Sequence, residues 1–291
     1  MPIKRIRDVL PKLEPSDLWE GRFDECLDDM ALHSYELVSL EDNVAIRVEE
    51  GLYAVMAHKE PEEWKRIKAL LMGNATRACF VMVPSGTDQL VYITKVPLLV
   101  ENAHEATKLH VQGKEFALTQ QQLDRAMNDC IPIPRDPHKM LTVFDNEGNP
   151  TNIDPADKYY EYQQNILYVK TKDFGNEFIT RYLFGDYAMR YGEMVSYVGI
   201  KRMQIGLSSY PTYRDEKGEP KAYVRSVWFD GFDMSSAISP RCGIGGVRWD
   251  SNCNTRLRGR LDLAEHIDVL LATKEEERIL KQMRMRGVDD M

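Results

Sequence analysis

Three prolines fall within nine residues, Ile131-Pro-Ile-Pro-Arg-Asp-Pro-His-Lys139, near the middle of the chain. Proline fixes φ and removes an amide donor, so the stretch reads as irregular structure and as the best internal boundary. It divides the sequence into an acidic portion, 1–135, and a second portion, 136–291, which form two units or one continuous domain. On both sides short apolar runs alternate with turn signals, without the strand–helix–strand rhythm of parallel sheets. That pattern predicts an α+β fold with antiparallel, hairpin-rich sheets, several amphipathic helices and no doubly wound βαβ arrangement.

In the first portion, Ser16 stands as an N-cap before a helical spacing of Leu18, Phe23, Leu27, Met30 and Tyr35, which predicts a helix over 16–38. The run from Asn43 to Lys59 alternates on either side of Glu49-Glu50-Gly51 and reads as a hairpin. Pro61 opens a helix that Gly73 and Asn74 close. Residues 79–83 and 89–96 read as strands joined by Pro84-Ser85-Gly86-Thr87-Asp88. A second hairpin is expected to turn at Gln112-Gly113. Thr119 and Gln122 form a capping box for the next helix.

In the second portion, strands are expected near 141–144, over 160–172, over 202–210, over 221–229 and at 246–250. Residues 266–272 read as a weaker strand, and Thr273 with Glu276 caps a final helix. The longest helical candidate runs from Phe174 to Gly199. Its glycines at 175, 185 and 192 each weaken it by about 1 kcal/mol, unless they serve close packing or a break near Gly185. Asp145-Asn-Glu-Gly-Asn-Pro150 and Asp215-Glu-Lys-Gly-Glu-Pro220 share an Asp-x-x-Gly-x-Pro turn. In this style the chain is similar to proteins of large viruses of bacteria, which implies a bacterial or virus-infected host cytoplasm.

Charge is unevenly placed. The chain carries a formal net charge of −8, yet residues 201–260 hold 11 Lys and Arg against 6 Asp and Glu. Hydrophobic content of 43% allows a sizeable core, and no apolar run is long enough to span a membrane. The five cysteines are widely spaced, which favours reduced thiols of a cytoplasmic protein over a disulfide framework. None of the six histidines has a Cys or His partner at helical spacing, and no CxxC occurs, so no metal or cofactor is expected.

The basic segment carries the functional expectation. Arg256, Arg258 and Arg260 alternate, so in a strand they share one face, which Arg225, Arg241 and Arg248 could join. Tyr210, Tyr213 and Tyr223 lie among them. Cations for phosphates and rings for bases predict a non-catalytic nucleic-acid-binding protein, preferring single-stranded DNA or RNA. Trp228 and Trp249 take the opposite parity and belong to the core. Gly243, Gly245 and Gly246 read as a turn leading into a strand, since both the Walker lysine and GxGxxG spacing are missing. The rival reading is a structural or assembly protein, virion-like or homo-oligomeric, whose basic face meets an acidic one. A metal-dependent nuclease built on Glu219 and Lys221, with Asp186 or Asp215, comes third.

Overall fold

The computed structural model describes residues 4–7, 16–57, 73–86, 88–133, 142–144, 150–152, 165–171, 173–197, 202–207, 212–229, 243–247 and 254–261. The helix expected after Pro61, the strand at 266–272 and the final helix lie outside them.

A mixed sheet organises the fold. Its main path runs β1 (Lys4–Arg7), β2 (Ser16–Arg22), β14 (Asn254–Leu261), β4 (Asn74–Ser85), β12 (Tyr223–Phe229), β13 (Gly243–Val247), β11 (Arg202–Leu207) and β10 (Asn165–Lys170). Strands β3 (Tyr35–Leu37), β5 (Asp88–Thr94), β6 (Phe116–Ala117) and β7 (Cys130–Pro132) pair at its sides. A separate hairpin joins β8 (Thr142–Phe144) to β9 (Pro150–Asn152), where the first Asp-x-x-Gly-x-Pro turn was expected. The pairings are antiparallel except β11 with β13 and a single contact of β14 with β4. The fold is therefore α+β, without a doubly wound pattern.

Strands from both sides of the proline cluster share this sheet. β4 pairs β12 from Tyr223↔Met82 to Phe229↔Asn74, and β2 pairs β14 from Ser16↔Arg260 to Asn254↔Arg22. Helices cover both faces. On one side lie α2 (Leu40–Ala57), α6 (Phe178–Phe184) and α7 (Ala188–Tyr197); on the other lie α1 (Phe23–Leu32), α3 (Leu98–Glu101), α4 (Ala103–Val111) and α5 (Gln120–Asn128). Successive residues of β4 therefore enter different cores. Ala78, Phe80 and Met82 join the α2 side, and Ala75, Cys79 and Val81 join the α1 side.

Several sequence expectations hold. The Thr119–Gln122 capping box is formed in both directions. β4 and β5 pair around their turn with Ser85 opposite Asp88. In the second Asp-x-x-Gly-x-Pro turn, Asp215 accepts the amides of Lys217 and Glu219, both at 2.9 Å, and Gly218 has φ +79. The long helix breaks at Gly185, whose φ of +54 suits glycine, into α6 and α7. A Cβ on Gly175 would meet Met189 at 2.5 Å, so close packing accounts for that glycine.

Other expectations are corrected. Ser16–Arg22 is a strand and not the first turns of a helix, because β14 pairs along its whole length; the helix begins only at Phe23. Asn43–Lys59 is not a hairpin. Through Ala57 it belongs to α2, in which Leu40, Val44 and Val48 are buried at helical spacing. Ser39 caps α2: its Oγ accepts the Asp42 amide at 3.0 Å and donates to the Asp42 carboxylate at 2.7 Å. The arm before Gln112-Gly113 is α4, so this glycine closes a helix. The Gly113 amide donates to His110 at 2.9 Å, and φ at Gly113 is +74. Gly243, Gly245 and Gly246 lie within β13, between β11 and β12, and do not form a turn before it. Cys130–Pro132 is a short strand on β5, which proline tolerates because β5 is its one neighbour among the described residues.

Candidate functional site

Strand β14 sets the register of the alternating arginines. Leu257 and Gly259 stand opposite Trp19 and Asp17 on β2. A Cβ on Gly259 would lie 2.7 Å from the Trp19 ring, so glycine makes room for that buried tryptophan. Arg256, Arg258 and Arg260 take the other parity, as the sequence predicts. Helix α2 lies over this side. Asp42, near the start of α2, holds Arg260 at 3.3 Å, and Arg47, one turn further on, lies 3.6 Å over the Phe229 ring. Arg47 also donates to Asn74 at 3.2 Å and to the Phe229 carbonyl at 3.3 Å.

Arg225, Arg256 and Arg260 are each paired with a carboxylate of the same chain. Arg256 pairs with Glu20 at 2.5 Å, directly across from it on β2, and donates to the Gly73 carbonyl at 3.1 Å. Arg258 is fully buried. Arg225, only 5% exposed, bonds to Glu115, which immediately precedes β6. Tyr223 is in the core and meets the half-buried Tyr213 in a tilted ring contact, 5.9 Å between centroids. Arg241, Arg248 and Tyr210 lie outside the described residues. The structure therefore gathers Arg256, Arg258 and Arg260 on one side of β14 and places Arg225 with Tyr223 and Tyr213 on β12 and its approach.

Sequence reasoning did not identify Glu20, Asp42 and Glu115 as partners of these arginines. They are separated from them by between 110 and 236 positions, so only the tertiary fold brings them together, strand register for Glu20 and helix packing for Asp42. Buried Arg47 was also missed, because it sat in the segment read as a hairpin. The one available signal was Ser39 three residues before Asp42, the spacing of a helix cap.

The other chemical candidates resolve as follows. Glu219 and Lys221 flank the second tight turn, where Lys221 pairs with Asp215 at 3.3 Å. Asp186 is exposed at the break between α6 and α7. Cys26 and Cys79 are buried, and burial pushes each thiol up to about 12. Such thiols are poor nucleophiles at neutral pH. Among the described residues no group of three His, Cys, Asp or Glu side chains could hold a metal. None of the described helices is long and apolar enough to cross a membrane.

A groove of about 330 Å³ opens between α1, β3 and the α3–α4 segment, floored by Leu27, Met30, Leu37, Val100 and Ala103. On its rim Glu36 pairs with Arg77 at 3.6 Å and Glu101 with Arg125 at 2.6 Å, and an Asp28 carboxylate oxygen lies 3.2 Å from the His104 imidazole. Beneath it, burial raises the Asp24 carboxyl, but bonds from Arg22 and the Glu25 amide outweigh that and hold it below its ordinary value.

No protein-family model matches the chain, and no curated protein matches it. One solved structure shows a likeness, described as "Accommodation of massive sequence variation in Nanoarchaeota by the C-type lectin fold". It is 8% identical, the alignment covers 85% of this chain and 97% of that one, and the TM-score is 0.41.

Proposed function

We propose that this chain is a structural or assembly component that acts through its surfaces, and that its basic segment serves chiefly to join the two portions of the sequence. The observation that carries this reading is the pairing of Arg225, Arg256 and Arg260 with Glu115, Glu20 and Asp42. The acidic surface that a basic face could meet is supplied by the same chain. A phosphate at these positions must first displace a carboxylate already in place, which removes most of the electrostatic gain of nucleic-acid binding. An assembly role needs no free guanidinium. Side chains such as Phe178, at 73% exposed, and Leu32, at 80%, supply apolar contact area for a protein partner.

The test is binding of a labelled single-stranded oligonucleotide at about 50 mM salt, where phosphate contacts are strongest. No salt-sensitive binding is expected. Binding that weakens steeply with salt, and is lost in Arg241→Ala/Arg248→Ala, overturns the assembly reading in favour of the nucleic-acid one.

A further inference from the structure

We infer that the groove between α1, β3 and the α3–α4 segment is a docking site for a basic, amphipathic segment of a partner protein, one that sets an apolar side chain beside lysine or arginine. The inference rests on the assembly reading above and names the chemistry of the partner.

The groove is apolar below and fixed at its rim. Leu27, Tyr35 and Val100 are only half-buried, so they bring apolar surface to its mouth. At about 330 Å³ it lies at the small end of binding sites, which combine an apolar lining with a few polar groups that fix orientation. That is a size for side chains and not for a helix. Each rim contact joins two elements: Glu36 of β3 to Arg77 of β4, Glu101 of α3 to Arg125 of α5, and Asp28 of α1 to His104 of α4. Walls tied together in this way are preformed, which lowers the ordering cost of binding.

Charge selects the occupant. α1 carries Asp24, Glu25, Asp28 and Asp29 without a lysine or arginine. Glu36 and Glu101 add two further acids, and Arg77 is the one Lys or Arg among the described residues that line the groove. Asp28 and Glu36 are 62% and 61% exposed, so their carboxylates keep lone pairs open to solvent, and a carboxylate accepts more than one bond. Beneath the same wall, Arg22 and the Glu25 amide hold Asp24 in its charged form. A nucleic acid or an anionic membrane meets like charge here, whereas lysine or arginine meets carboxylates. The apolar lining adds the second requirement, because a neighbouring apolar side chain gains by burial there.

The experiment titrates the isotope-labelled full chain with hexapeptides at about 50 mM salt, where surface charges are weakly screened, and maps the backbone amide shifts. One peptide alternates Lys with Leu, a second Lys with Ser, and a third Glu with Leu. The Lys-Leu peptide is expected to shift amides of 27–30, 35–37 and 100–104, and the other two are expected to leave them in place. Asp28→Asn combined with Glu36→Gln is expected to weaken that binding at least about threefold, and undiminished binding overturns the inference. Should this variant fail to fold, the shift map of the wild-type chain decides alone. Shifts spread over the acidic surface without concentrating at the groove overturn the inference, as does the absence of binding. Equal binding of the Lys-Ser peptide overturns it too, since the apolar lining then contributes nothing. Butylamine binding as tightly as the Lys-Leu peptide overturns the protein occupant and assigns the groove to a small amine. The oligonucleotide measurement separately decides the assembly reading beneath it.

Discussion

Helix α2 roofs two neighbouring regions of one side of the sheet, and they are held by different physics. Towards α6 and α7 lie rings: Phe184 meets Phe174 at 5.2 Å, Tyr191 at 5.2 Å and Phe229 at 5.5 Å between centroids. All four are fully buried. Towards β14 lie the arginines, with Arg260 tied to Asp42 and Arg256 to Glu20. The rings depend on filled volume, so any neighbour of the right shape serves them. The arginines depend on particular carboxylates, strongly where the pair is buried, as at Arg225, and weakly where it is half-exposed, as at Arg260. A core can therefore be cationic in sequence and still be interior, provided that the compensating acids arrive from elsewhere in the chain.

The largest break in this comparison should come from the rings. Phe184→Ala is expected to destabilise by about 3–5 kcal/mol in urea unfolding, through lost burial and the cavity left behind. Arg225→Ala, which strands Glu115 beside a buried strand, should cost about 3 kcal/mol. The double variant with Glu115→Ala is expected to recover part of that loss, which a double-mutant cycle reads directly. Gly185→Ala, at φ +54 between the two ring-bearing helices, should cost about 1–2 kcal/mol. Arg260→Ala removes a half-exposed pair and should cost about 0.5 kcal/mol, shrinking further at high salt.

The smallest effect should come from acid, which sets the ring cluster apart from α1 on the opposite face of the sheet. The Asp24 carboxyl is held below its ordinary value of 3.8, so its contribution is complete above that value and is lost as pH falls through the lowered one. Protection against hydrogen exchange, taken relative to the intrinsic rate at each pH, should therefore fall at the start of α1 before it falls in α7, since Asp24 lies in α1 and the rings pack through apolar contact. An equal loss of protection in both would show that α1 and α7 open as one unit.

Much of the fold was legible because its signals are local. The Thr119 cap, the glycine at 185 and the Asp215–Pro220 turn each state their conformation within a few residues. The errors arose where local pattern and tertiary pairing disagreed. Residues 16–22 carry helical spacing, yet β14 claims them as a strand. The Glu-Glu-Gly inside α2 resembles a turn, yet Leu40, Val44 and Val48 bury one helical face.

The sequence by itself determined the α+β class, the parity of Arg256, Arg258 and Arg260, and the tight turns, because these follow from backbone sterics and the two-residue repeat of a strand. The tertiary structure alone decided what that arginine-bearing side faces. Alternation shows that three side chains point the same way, but not whether water or a helix lies beyond them. Here Arg258 is fully buried, Asp42 of α2 meets Arg260, and Glu20 meets Arg256 from 236 positions away. Long-range register places those carboxylates, and no local pattern encodes it.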